Sequence, residues 1–167
     1  DQAAYHSAAT AWQAFTRSDP LTLPAIAAGQ SPTLRFVAEA FVRLMQEYPW
    51  RGDGLALTER RILAAIQAGI TRPGLVFKRI AGQEMRPYLG DSSFFRLLAG
   101  VRDARTPLAV QAGGQLALTE SGRDVLLGPA DHVRLNGPDR WLGGVHLHPD
   151  GDDWRYDERL ETITRGP

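Results

Sequence analysis

The chain contains no cysteine and only one lysine, Lys78, in 167 residues. Lack of cysteine removes disulfides, thiolate catalysis and cysteine-based zinc sites together. Scarcity of lysine leaves Lys78 as the sole candidate for Schiff-base chemistry, and its context, FKRI, reads as the solvated edge of a helix. No apolar run approaches the roughly 18 residues a membrane span needs. The opening DQAAYHSAATAWQ has neither the basic nor the apolar region of a signal peptide. Net charge is absent as well: 19 basic residues cancel 19 acidic ones, whereas a dedicated nucleic-acid binder usually carries a positive excess. The serine-hydrolase elbow G-x-S-x-G, the zinc motif H-E-x-x-H and the Walker phosphate loop are all missing. These absences set the first expectations: a cytoplasmic protein without membrane contact, cofactor, metal or catalysis in this segment.

What is present suits a globular chain, with 43% hydrophobic and 23% charged residues. At this length folding buries about 70% of the unfolded surface, enough for one compact domain or two small ones. The first residue is Asp1 rather than Met, so a fragment of a longer protein is expected. Three stretches differ in texture: 1–54, 55–128 and 129–167. The first reads as helices. Tyr5, Ala8, Trp12 and Phe15 recur at spacings of three and four, which predicts one apolar helix face, ended by Asp19-Pro20. A short LTLPAIAAG segment follows. Ser31-Pro32 supplies an N-cap and an N1 proline for a helix with Leu34, Val37, Phe41, Leu44 and Met45 on one face, stopping near Tyr48-Pro49. Phe36, Ala40 and Val42 make its other side apolar, which predicts burial on more than one side.

Residues 55–128 carry the clearest signals. In GLALTERRILAAIQAG, Thr58 is the expected N-cap, Leu57 and Ile62 the hydrophobic staple, and Gly69 the C′ glycine. A second helix is predicted over about 73–81 from Pro73, with Val76, Phe77 and Ile80. A third follows Asp91 as N-cap, with Phe94, Phe95, Leu98 and Val101. In PLAVQAGGQLALT, a three-residue Ala112-Gly113-Gly114 loop sets Val110 against Leu116 and Leu108 against Leu118, gathering all four on one face. A Gly-Gly turn splits that set, so the three-residue loop is expected. A last helix runs from Thr119 to near Gly128-Pro129. Helix, helix, helix, hairpin, helix is the order of a winged helix. The expected class is mainly α with small β hairpins (α+β): a winged-helix-like core, an N-terminal helical layer packed on it, and a C-terminal β-hairpin.

Residues 146–157 read HLHPDGDDWRYD. A two-residue Asp150-Gly151 turn faces Leu147 with Trp154 and Val145 with Tyr156; the other face then pairs His148 with Asp153 and His146 with Arg155. An amphipathic hairpin with a solvated polar face is the expected reading. The alternative takes His146, His148 and Asp153 as metal ligands of a metal-dependent enzyme. Arg155 beside them opposes a cation, and DGDD lacks the spacing of an EF-hand loop.

Charge is unevenly spread: 55–128 holds ten basic and six acidic residues, a balance of +4. Arg60, Arg61, Arg72, Ser92, Ser93, Arg96 and Arg102 are therefore the candidate nucleic-acid-binding residues, suited to phosphates and base edges. Ser92 and Ser93 read as helix-start residues rather than nucleophiles, and RGD at 51–53 as chance. Two features weigh against DNA. The connection AGQEMRPYLGD is longer than a helix-turn-helix turn, and the wing tip, AGG, has no basic residue. Winged helices also serve as protein-interaction modules. The favoured expectation is a non-catalytic binding module for protein or inter-domain contacts, with a DNA-binding, transcription-regulator-like module as the alternative.

The stretches GLALTERRIL, LGDSSFF and NGPDRWLGGVHL, with the later WRYD, resemble a bacterial family whose members carry a separate N-terminal domain (the domain-of-unknown-function type called eighteen-thirty-five) before a region like this one. The resemblance runs from about Trp12. It is most specific over 139–147 and in Trp154-Arg155-x-Asp157, with Tyr156 where the family pattern has Trp. It implies that the N-terminal domain is missing here, making that domain, or another protein, the expected partner. It implies no activity, substrate or catalytic residue. Asp139, Arg140 and Asp157 form the candidate polar site, expected to lock the hairpin against the winged helix with Trp141 and Trp154 packed beneath.

Overall fold

The structure is a computed structural model that describes residues 2–166. In chain order the elements are α1 (Gln2–Thr16), α2 (Leu23–Ala28), α3 (Val37–Met45), α4 (Leu57–Gln67), α5 (Pro73–Ala81), α6 (Asp91–Arg102), β1 (Ala109–Ala112), β2 (Gln115–Leu118), α7 (Glu120–Leu127), α8 (His132–Asn136), β3 (Arg140–Leu142), β4 (Val145–Leu147), β5 (Trp154–Asp157) and β6 (Thr162–Arg165). Among the described residues the protein is thus mixed α+β, eight helices with three antiparallel two-stranded hairpins, β1-β2, β3-β4 and β5-β6. The chain divides into two compact units. Unit 1 combines residues 1–51 with 137–167, and unit 2 is 52–136. The N-terminal helices and the C-terminal extension, separate stretches in the sequence, therefore belong to one unit.

Unit 2 follows the expected order of three helices, a hairpin and a helix, with α8 as an unanticipated addition. Its core gathers Ile62, Leu63 and Ile66 of α4, Val76 and Ile80 of α5, Phe94, Leu98 and Val101 of α6, and Val125 of α7. Helix α5 occupies the expected residues. Helix α4 starts earlier than expected. Ala56 precedes its first turn, and the Ala56 N–H donates to Glu59 Oε2 at 2.9 Å. Thr58 is therefore buried inside the helix and is not its cap, and Leu57 and Ile62 both lie within it rather than stapling its start. Gly69 ends α4 as expected, at φ +86° with its N–H on the Ile66 carbonyl. Gly90, not Asp91, is the N-cap of α6; Asp91 is its first residue, and its Oδ1 accepts the Ser92 N–H at 2.7 Å. Thr119 caps α7 by accepting the Gly122 N–H at 2.9 Å.

The wing register differs from expectation. Val110 pairs with Ala117 and Gln111 with Leu116, around a two-residue Gly113-Gly114 turn at φ +56° and +76°. Two consecutive left-handed residues make the turn whose twist matches the flanking strands, and glycine adopts that conformation without strain. This outweighs keeping four apolar side chains together. Leu108, Leu116 and Leu118 stay buried while Val110 turns outward, 47% exposed.

Unit 1 has its own core of Ala11, Ala14, Leu23, Phe41, Met45, Tyr48, Val145, Leu147, Trp154, Tyr156 and Ile163. Two helices depart from their sequence reading. Helix α1 packs through Ala11 and Ala14, whereas Tyr5 and Trp12 of its expected apolar face are 78% and 64% exposed. Helix α3 begins at Val37, not at Ser31-Pro32; Ser31 Oγ does accept the Leu34 N–H at 3.1 Å, the bond expected of an N-cap, but regular α-helix starts only at Val37. Phe36 and Val42 are exposed, so α3 buries one side only.

The C-terminal pairing is also different. Strand β4 pairs with β3 across Gly143-Gly144, and β5 pairs with β6, so the expected hairpin around Asp150-Gly151 does not form. The sidedness survives: Val145, Leu147, Trp154 and Tyr156 are all buried in one core. Backbone bonds from Tyr156 N to Pro49 O (2.8 Å) and from Arg51 N to Tyr156 O (3.1 Å) lay residues 49–51 along the free edge of β5. Gly143 and Gly144 lie against the end of α1. The Gly144 N–H satisfies the Phe15 carbonyl at 2.9 Å, and a Cβ on either glycine would overlap a carbonyl oxygen of Phe15 or Thr16.

Candidate functional site

Helix α6 turns Phe94, Leu98 and Val101 inward, which leaves Ser92, Ser93, Arg96 and Gly100 on its exposed side. The seven candidate nucleic-acid contacts do not gather into one free face. Arg60 is paired with Asp53 at 2.7 Å and Arg61 with Glu84 at 2.7 Å. Arg102 donates to Gln111 Oε1 at 2.6 Å and also meets Asp103. Arg72 and Arg96 remain exposed, as do Lys78 and Arg79, which the sequence reading did not choose. Among the described residues the side chains of these four form no ion pair, and unit 2 as a whole holds eleven basic and eight acidic residues, a balance of +3.

The residues of the candidate polar site all lie in unit 1, each with a different partner. Asp139 Oδ1 is 2.9 Å from His146 Nε2. Arg140 Nη2 donates to the Glu47 carbonyl at 2.7 Å, beyond the end of α3, and Glu47 is itself held by Arg43 at 2.7 Å. Asp157 Oδ2 accepts from Arg51 at 2.9 Å, and its Oδ1 takes the Arg159 and Leu160 N–H groups of the β5–β6 turn. Arg140 and Asp157 thus tie the C-terminal strands to residues 47 and 51 of their own unit, which corrects the expected lock onto the winged helix. Of the two tryptophans expected beneath that lock, Trp154 is buried and Trp141 is 65% exposed.

These contacts set the titration behaviour. The Arg51 hydrogen bond, helped by the two turn N–H groups, holds the Asp157 carboxyl below the usual carboxylate range. Burial pushes the Tyr48 and Tyr156 phenols up. Tyr48 Oη is fully enclosed and has no hydrogen-bond partner among the described residues.

The metal alternative loses its third ligand. His146 and His148 are neighbours, with ring centres 4.8 Å apart, and Trp141 stacks on His146 at 4.5 Å and 5° between planes. Asp153, however, is bound to Arg155 Nε at 2.5 Å. Because β5 pairs with β6, Arg155 stands opposite Thr164 instead of His146, and it is buried rather than solvated. Among the described residues no group of three histidine or carboxylate side chains is arranged to hold a metal ion.

Two features of unit 1 were not expected as sites from the sequence. One is a cleft of about 290 Å³ between α1, α2 and the start of α3, lined by His6, Thr10, Ile26, Gln30, Ser31 and Val37 among others. Among the described residues its walls carry no carboxylate, lysine or arginine. The other is the outward stripe of α1. Tyr5, Ala8 and Trp12 are exposed, while Ala4 and Ser7 are half-buried and Ala11 and Ala14 buried. The signal for it was that second row of small residues, which lets a helix lie close to its neighbour. No family model, no curated protein and no solved structure matches the chain.

Proposed function

We propose that this protein is a non-catalytic, winged-helix-like binding module whose principal contacts are with protein. One observation carries the reading. Helix α1 presents Tyr5 and Trp12 to solvent on a face free of charged side chains, while the arginines expected to read DNA are largely engaged by neighbouring side chains. Exposed aromatic rings on a regular element are the anchors protein interfaces favour. The Asp139, Arg140 and Asp157 contacts serve the fold of unit 1 rather than chemistry. The test places a benzophenone side chain at Ala9, beside the stripe, and irradiates the protein in lysate. Protein adducts that Trp12→Glu abolishes are expected; absence of adducts contradicts the reading.

A second reading has support in Arg72, Lys78 and Arg79 around α5 and Arg96 on α6, four exposed cations suited to phosphate contacts. In this reading a duplex oligonucleotide binds with an affinity whose logarithm falls linearly with log salt, and Arg79→Glu with Arg96→Glu flattens that slope. No anisotropy change at low salt removes it.

A further inference from the structure

Resting on the reading of α1 as the contact surface, we propose that its outward stripe is a seam for a second copy of this chain. Tyr5, Ala8 and Trp12 follow the i, i+3, i+7 spacing of a two-helix seam, which ends at Phe15, a residue packed within unit 1. Helix α1 docks within unit 1 through Ala11, Ala14 and Phe15, while Tyr5 and Trp12 stay exposed, so their face is left for another helix.

Charge and shape both point to a copy of itself. From Gln2 to Thr16 there is no aspartate, glutamate, lysine or arginine. Nothing on the stripe steers an acidic or basic partner, and two such faces meet without repulsion. The stripe is also self-complementary. With a two-fold axis between Ala8 and Ala9, antiparallel helices set each Trp12 against the other copy's Tyr5, and the alanines at the centre let the backbones approach. That is an isologous interface, and antiparallel helix dipoles oppose favourably. Trp12 is 64% and Tyr5 78% exposed, so two of each have at most about 400–700 Å² left to bury. This lies below the range of stable interfaces, so the dimer is weak and forms only at high protein concentration.

Sedimentation equilibrium of the full chain, from low micromolar to several hundred micromolar, tests this. The mass is expected to rise from 18.3 kDa toward twice that value. Trp12→Glu is expected to weaken association about 30-fold, or about 2 kcal/mol at 1.4 kcal/mol per tenfold, with unchanged far-UV circular dichroism. Ala9→Glu serves should that variant misfold, and Leu127→Glu, at an exposed position on α7, leaves the mass curve as it was. A monomer at every concentration, or association that ignores Trp12→Glu, overturns the proposal. If the chain stays monomeric while the benzophenone at Ala9 still captures protein, the second copy is excluded and the contact-surface reading stands; if both experiments are negative, both fall.

Discussion

Unit 2 is one uninterrupted segment, 52–136, whereas unit 1 joins residues 1–51 to 137–167. Each has its own apolar cluster, yet they are specified differently. In unit 2 the helices bury most of the residues their apolar spacing marks, Phe95 being the exception at 48% exposed, and the caps Thr119 and Gly69 sit where local chemistry puts them. In unit 1 the partners are remote in sequence. Gly144 closes the end of α1 through Phe15, Arg140 reaches Glu47, and Asp157 reaches Arg51. Local periodicity specifies a helix in both units, but only long-range packing decides which face of α1 goes inside.

All four tryptophans, Trp12, Trp50, Trp141 and Trp154, lie in unit 1. Their fluorescence reads that unit, while far-UV circular dichroism reads both. The comparison can therefore be broken by mutation. Phe94→Ala removes a fully buried ring from unit 2, packed 5.2 Å from Phe77; a loss of about 3–5 kcal/mol is expected. Its dichroism-detected urea midpoint should fall well before the fluorescence-detected one. If both fall together, the two units unfold as one block.

Arg140→Ala should act in the opposite sense. It deletes the bond to the Glu47 carbonyl and is expected to cost about 2 kcal/mol, read by fluorescence in urea. No change in that midpoint would show that the C-terminal strands hold without this link.

Asp157→Asn sharpens the picture through pH. Because the folded carboxyl titrates below its unfolded value of about 3.9, it contributes stability above that value and loses it as pH falls through the lowered one. The variant should therefore show a flatter acid limb in the fluorescence-detected melting temperature. An unchanged acid limb contradicts the role given to Arg51. The smallest effect belongs to Trp12→Ala. Its side chain faces solvent, so stability should move by no more than about 0.5 kcal/mol in the dilute protein.

Much of unit 2 was legible. Pro73 and Thr119 mark their helices correctly, and Val76, Ile80, Phe94, Leu98 and Val101 are core residues by spacing alone. The wing register was not, because apolar alternation and turn twist disagreed at Ala112-Gly113-Gly114, and the turn prevailed. In unit 1 the Asp150-Gly151 turn gave the expected register for β4, whereas the strand pairs across Gly143-Gly144, glycines held against the end of α1 more than 120 residues earlier in the chain. The stripe of α1 was visible as a pattern and misread as core, since spacing shows that residues share a face without showing what covers it.

The orientation of α1 is the claim on which the contact surface depends, and the absence of cysteine makes it directly testable. Single cysteines would replace Ala8, Ala9, Ala11 and Ala14 in turn, and each thiol's labelling rate would be measured at low micromolar protein. Fast labelling at Ala8 and Ala9 with strong protection at Ala11 and Ala14 is the expected pattern. Protection at Ala8 with free access at Ala11 and Ala14 would contradict it, returning Tyr5 and Trp12 to the core.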